Sequence, residues 1–339
     1  MIDGHNDLPW AMRKLFDGDL DLVDLSGSVP QFHTDIPRLR AGGVTGQFWS
    51  VYVPSTMKDG AAVSATLEQI DFVYRMIARH PDTFVLATTA DEVEDAQKDG
   101  RIASLMGMEG GHSINSSLGV LRMMHHLGVR YMTLTHNDNV PWADSATDEP
   151  ILGGLSPFGV QVVQEMNRLG MLVDLSHVSA DVMRQALEVS RSPVIFSHSS
   201  ARALVDVPRN VPDDVLGKLA INGGVCMIAF VPDFVSPVFA DWFQQREQGA
   251  VATPSPVVTV DDVADHIEHV REVAGVEHVG IGGDYDGSEF MPNGLEDVSC
   301  YPYLFDTLTS RGWTAPDLER LKSGNLLRVL RDAEDVSRQ

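Results

Sequence analysis

Cysteine is nearly absent from this chain: among its 339 residues only Cys226 and Cys300 occur. Two cysteines build neither a disulfide framework nor a thiolate zinc site. Cys226 lies in an apolar run and reads as a small buried hydrophobe. Basic residues are scarce as well. Lys and Arg total 25 against 48 Asp and Glu, a formal net charge of −23. Such a surface argues against nucleic acid and against docking on anionic membrane, so neither is an expected partner. No apolar run reaches the roughly 18 residues needed to span a bilayer. The chain opens without a basic n-region and apolar h-region, and its polar end, Asp332 to Gln339, carries no lipid-anchor signal. The expectation is a soluble, cytoplasmic protein. Internal repeats, low-complexity tracts and linkers are missing too, so a single domain over residues 1–339 is expected.

What is present is an alternation. Short runs rich in Val, Ile, Met and Leu, without clean hydrophobic-polar alternation, read as parallel strands buried on both faces. They are Ile2 to His5, Gly43 to Val53, Ile102 to Met108, Tyr131 to Thr135, Met171 to Leu175, Pro193 to Phe196, Gly224 to Phe230 and His278 to Gly282. Amphipathic stretches lie between them: Ala61 to Arg79, Asp91 to Lys98, Leu118 to Leu127, Pro157 to Leu169, Ser179 to Val189, Asp213 to Ile221 and Thr259 to Val273. Ser179 and Thr259 are in capping position, and Gly128, Gly170 and Gly275 end helices. Ala315 to Leu321 and Asn325 to Glu334 close the chain. This pattern predicts a (β/α)8 barrel, with a doubly wound sheet as the structural rival. Val231 to Pro256, with four prolines and the exposed-looking Phe239, Trp242 and Phe243, reads as a long loop covering a site.

The 12 histidines are not spread evenly. His5, His136, His177 and His198 fall at the C-terminal ends of expected strands. Asp7 stands two residues after His5, on the same side if the strand continues. Glu109 follows the third strand and Asp284 the eighth. Taken singly, each has an ordinary reading: a hydrogen-bonded structural His, a turn or cap carboxylate, an Asp in a glycine-rich loop. In a barrel, however, all strand C-termini open on one face, and that face carries the active site. Three His and three carboxylates, not counting His136, then converge there, a donor set suited to metal. His266 and His269, beside Glu268 on a charged helix, are expected to face solvent. His125 and His126 end a helix, where a cation is favourable. His33, His80, His112 and His278 receive no role.

Seven strings together resemble the membrane (renal-type) dipeptidase family of the metal-dependent amidohydrolase superfamily. They are Asp3-Gly4-His5-Asn6-Asp7, Met108-Glu109-Gly110-Gly111-His112, Leu134-Thr135-His136-Asn137-Asp138, Asp174-Leu175-Ser176-His177, Phe196-Ser197-His198-Ser199, Arg209-Asn210-Val211-Pro212-Asp213-Asp214 and Gly282-Gly283-Asp284-Tyr285-Asp286-Gly287. With Gly294 to Val298 they run through nearly the whole chain. The resemblance implies a distorted TIM-like barrel of the amidohydrolase type that acts as a metallo-dipeptidase. It implies two Zn2+ per chain, bridged by Glu109 and a water or hydroxide, one ion held by His5 and Asp7 and the other by His177 and His198. It implies Asp284 as the proton-transfer carboxylate and His136 as the donor to the carbonyl oxygen. Arg209 is the implied clamp for the substrate's terminal carboxylate; apart from the resemblance, it reads as a surface residue before a helix.

The implied substrate is a dipeptide with free termini, L-D dipeptides included. The alternative is another hydrolysis on the same binuclear centre, of an N-acyl amino acid, a cyclic amide or a lactone. A non-enzymatic metal-binding scaffold is the third reading. One departure stands out: after the seventh strand the chain reads Ala229-Phe230-Val231-Pro232-Asp233, where animal relatives place an aromatic-polar segment with a Tyr contact to substrate. Relatives are often dimers, which leaves a homodimer open.

Overall fold

The computed structural model describes residues 1–250 and 253–339. Its strands are β1 (Ile2–Asn6), β2 (Gly46–Ser50), β3 (Phe84–Leu86), β4 (Ile102–Glu109), β5 (Val129–Thr133), β6 (Leu172–Asp174), β7 (Ile195–Ser199), β8 (Val225–Ile228) and β9 (Val279–Ile281). All ladders are parallel, in the order β1-β2-β4-β5-β6-β7-β8-β9, with β3 added beside β4. The result is a nearly closed barrel of eight strands, and the doubly wound alternative is excluded.

The eight expected strands are β1, β2 and β4 to β9. The ninth, β3, was not expected, because three residues carry no readable period. It shares one edge of β4 with β5: Phe84 to Leu86 pair with Ile102 to Ser104, and β5 takes over from Met106 to Glu109. Two seams distort the barrel. β6 and β7 share the single registered pair Asp174 and Ile195. Between β9 and β1, the Asp7 amide donates to the Tyr285 carbonyl at 2.9 Å and the Asp284 amide to the His5 carbonyl at 3.3 Å. There the buried Asp3 carboxylate accepts from the Gly283 amide at 2.9 Å and from the Tyr301 hydroxyl.

Alternation along the strands sorts the core into two layers. Ile2, Phe48, Leu105, Tyr131, Leu172, Ile195, Val225 and Met227 fill the barrel interior, which the helix Asn325–Ser337 plugs with Leu326, Leu327 and Leu330. Trp49, Met106, Met132, Val173, Phe196, Cys226 and Ile228 belong to the larger cluster shared with the surrounding helices. Cys226 is fully buried, as expected. The caps behave as read: the Ser179 hydroxyl accepts from the Val182 amide, and Asp262 accepts the Thr259 amide at 2.7 Å. The two expected C-terminal helices are joined by a π-helical turn, Arg320–Gly324.

Three expectations are corrected. His266 does not face solvent. It lies on the inward stripe of helix Val260–Ala274 with Val263 and Val270, three and four residues away, and its Nδ1 accepts the Ala201 amide at 3.0 Å. His269 does reach outward, to Asp213 at 2.8 Å. The stretch after β8 is not a plain loop but carries helices Pro232–Val235 and Pro237–Glu247. Phe239 is buried, its ring packed on Trp242 at 5.1 Å and Phe290 at 5.5 Å, and only its neighbours are partly open. The helices Leu8–Phe16, Ile36–Ala41 and Tyr301–Ser310 were also unforeseen. Among the described residues, no helix is long and apolar enough to cross a membrane.

Candidate metal centre

The C-terminal ends of β1, β4, β7 and β9, and the segments that follow β5 and β6, bring His5, Asp7, Glu109, His136, His177, His198 and Asp284 to one face. Asp7 arrives there by a route other than strand alternation. β1 ends at Asn6, and Asp7, with φ −97° and ψ 19°, opens the helix Leu8–Phe16. That turn still leaves its Oδ2 at 3.1 Å from His5 Nε2.

Glu109 occupies the middle. Its Oε1 lies 2.9 Å from His177 Nε2, 3.3 Å from His198 Nε2 and 3.7 Å from His136 Nε2. Its Oε2 faces the other way, 3.5 Å from His5 Nε2. Asp284 Oδ1 is 3.9 Å from the same His5 nitrogen. Each of the three converging imidazoles has its far nitrogen engaged: His5 Nδ1 with the Tyr131 hydroxyl at 2.8 Å, His177 Nδ1 with Asn137 Oδ1 at 3.2 Å, and His198 Nδ1 with Ser197 Oγ at 2.8 Å. A donor contact at Nδ1 leaves Nε2 as a lone pair, the form a metal needs. His177 and His198 Nε2 stand 2.9 Å apart, and Asp7 Oδ1 is buried without a partner among the described residues. Converging lone pairs and an orphaned carboxylate oxygen fit divalent cations and are hard to satisfy otherwise.

Electrostatics leave His177 and His198 as lone-pair donors and give His5 a proton that a bound cation would replace. Burial holds His177 and His198 well below the ordinary histidine value, so both are neutral. Burial also opposes the His5 imidazolium, but Tyr131, Asp7 and Glu109 outweigh it and raise the group well above that value. Glu109 is pushed up by burial and down, more strongly, by His5, His177 and His198, so it stays ionised. Asp284 is raised well above the ordinary carboxylate range by burial, with Asp7 and Glu109 adding to it. Asp284 and His177 are non-glycine residues with left-handed backbone, at φ 62° and 67°, a conformation that recurs at functional sites.

A cavity of about 640 Å³ opens over these groups, lined also by Tyr52, Arg209, Asp233 and Phe234. His136 sits on its wall beside Tyr52 and His177, with ring centroids 4.8 and 4.3 Å away, and burial lowers its pKa. Arg209 is not a surface residue: it is 6 % exposed. Its guanidinium lies 5.0 Å from the Phe234 ring centre and makes only long contacts, 3.5 Å to Ser199 Oγ and 3.4 Å to the His198 carbonyl. No carboxylate among the described residues comes within 4.0 Å of it, although burial disfavours its charge. Sequence reasoning missed the outer partners Tyr131, Asn137 and Ser197. The last two stand inside quoted strings; Tyr131, in mid-strand, carried no signal beyond its apolar setting.

A parallel barrel that gathers imidazoles and carboxylates at its C-terminal face has the TIM-like amidohydrolase fold. The profile of the family described as "Membrane dipeptidase (Peptidase family M19)" matches residues 1–339, and the chain belongs to that family. It is 46% identical over 341 residues to Dipeptidase 3 of Mus musculus, covering 99% of this chain and 65% of that relative's length. It is 43% identical over 348 residues to Dipeptidase verJ of Clonostachys rogersoniana, with 99% and 85% covered. Its fold is similar to that of a metallo peptidase from Rhodobacter sphaeroides liganded with a phosphinate mimic of the dipeptide L-Ala-D-Ala. That likeness has a TM-score of 0.86 and 24% identity over 98% of each chain.

Proposed function

We propose that this chain is a two-zinc dipeptidase that hydrolyses dipeptides with free termini, L-D dipeptides included. One observation carries the reading: the two oxygens of Glu109 face different ligand groups, Oε1 toward His177 and His198 and Oε2 toward His5. A carboxylate so oriented suits a bridge, with His5 and Asp7 holding one ion and His177 and His198 the other. Neither group fills a coordination sphere, as a catalytic site requires. When bound, the ions supply water activated near neutral pH and polarise the scissile carbonyl.

The remaining roles belong to the chain itself. Arg209 offers a buried, unpaired guanidinium that forks the substrate's terminal carboxylate through parallel N–H donors. Asp284 receives the proton of the attacking water and returns it to the leaving amine; its raised pKa suits a group that must hold that proton. His136, neutral and on the cavity wall, donates to the carbonyl oxygen as it becomes tetrahedral. The test is a zinc titration of chelator-treated protein, followed by a screen of L-L and L-D dipeptides and their C-terminal amides. The expected result is two zinc ions per chain and hydrolysis of the free dipeptides only. Uptake of zinc with no turnover of any dipeptide would overturn the proposal.

A further inference from the structure

The ligand histidines do not have equivalent support. His5 rests on a phenol, Tyr131, and His177 on a neutral amide, Asn137. His198 Nδ1 meets Ser197 Oγ at 2.8 Å, and Ser197 Oγ in turn donates to Asp174 Oδ2 at 2.6 Å. The serine proton is therefore committed to Asp174, so His198 Nδ1 must be the donor to Ser197 Oγ. The geometry points to a carboxylate–hydroxyl–imidazole relay in which Asp174 and Ser197 are positioning residues for the metal that His198 holds. This inference rests on the two-metal reading above.

Asp174 is built for the task. It is 0 % exposed, at the end of β6, level with Thr133 of β5. Its Oδ1 accepts the amides of Ser176 at 3.1 Å and Ser197 at 2.9 Å. Its Oδ2 accepts the hydroxyls of Thr133 and Ser197. The Ser197 amide contact also mends the thin β6–β7 seam, so the carboxylate has a structural part of its own. The Ser197 hydroxyl crosses the same seam, but the Ser197 amide keeps that link when the hydroxyl is removed. Ser197 is thus where the two roles separate.

The relay does two things for His198. It sets the tautomer, leaving Nε2 as the lone pair facing Glu109, and it strengthens the imidazole as a ligand by placing a negative charge behind its N–H. The Tyr131 hydroxyl behind His5, on the other side of Glu109, has no carboxylate hydrogen-bonded to it among the described residues. Weakening the relay therefore weakens one ion selectively.

The experiment is a competitive zinc titration against a chromophoric chelator for wild type, Ser197→Ala and Thr133→Val, with thermal unfolding of each metal-free protein. Ser197→Ala should lose about 10- to 100-fold in affinity for one of the two zinc ions, with the other within about threefold of wild type. Its metal-free protein should lose about as much thermal stability as Thr133→Val, which gives up a hydroxyl on the same Asp174 oxygen. Thr133→Val removes a hydroxyl from the same Asp174 oxygen but lies outside the relay, so both its zinc affinities should stay within about threefold. Equal weakening of both ions in Ser197→Ala, no weakening, or the same loss in Thr133→Val would overturn the relay. Fewer than two zinc ions on wild type would instead overturn the two-metal reading.

Discussion

The Gly283 amide donates to Asp3 Oδ1 at 2.9 Å, which places a side-chain carboxylate in the seam between the last barrel strand and the first. The other Asp3 oxygen accepts the Tyr301 hydroxyl, and the group is wholly buried. Asp174 does the same at the β6–β7 seam. Both carboxylates lie below the candidate metal centre, so the barrel is closed by the residues that also hold its ligand-bearing strand ends in place.

Asp3→Ala leaves the Gly283 amide and the Tyr301 hydroxyl without an acceptor in the interior. It should lower stability by roughly 3 kcal/mol, whereas Asp3→Asn, which keeps one carbonyl oxygen, should cost less. Urea unfolding of the metal-free proteins measures both. Equal stability of Asp3→Ala and wild type would mean that the seam closes without the carboxylate.

Arg209→Ala should reduce kcat/KM for dipeptides by roughly 100-fold, expressed mainly in KM, because a buried charge-assisted pair with the terminal carboxylate is lost. Steady-state kinetics on a free dipeptide tests this. An unchanged KM would remove Arg209 from the substrate site.

Asp284→Asn keeps the shape of the side chain and removes its proton transfer. A fall in kcat of about 10²- to 10⁴-fold is expected, with zinc content unaltered. Elemental analysis beside the kinetics separates the two effects. Loss of zinc in step with activity would make Asp284 a ligand rather than a proton carrier.

His266 supplies a pH test away from the metal centre. Burial lowers its pKa from the ordinary 6.5 to about 4. The unfolded chain takes up a proton near pH 6.5 that the folded chain refuses until pH 4. Its stabilising contribution is therefore complete above pH 6.5 and lost as pH falls toward 4, by up to about 3 kcal/mol. His266→Asn keeps an acceptor for the Ala201 amide and cannot charge in this range. The stability of wild type relative to this variant should fall across that window in urea unfolding. A constant difference from pH 7 to pH 4 would show that His266 titrates alike in both states.

The sequence carried much of the site because strand ends are local signals. His5, Glu109, His177, His198 and Asp284 each follow an apolar run, and the barrel rule sends all of them to one face. It carried Asp7 for an incomplete reason, since a turn into a helix, not strand alternation, sets that carboxylate beside His5. It mistook His266 and Phe239 for surface groups. A polar or prolyl neighbourhood says nothing of what packs over a residue from elsewhere in the chain.

By itself, then, the sequence determined the order of buried strands and helices, the acidic surface, the near absence of cysteine and the residue types at each strand end. These depend on composition and short-range period. Tertiary structure alone decided that Arg209 is buried without a carboxylate partner among the described residues, that β3 joins the sheet, and that the two oxygens of Glu109 look toward different histidines. It also decided that Ser197 and Asp174 stand behind His198, 23 residues apart along the chain. Such contacts form only once distant strands are in register, and no local pattern encodes that register.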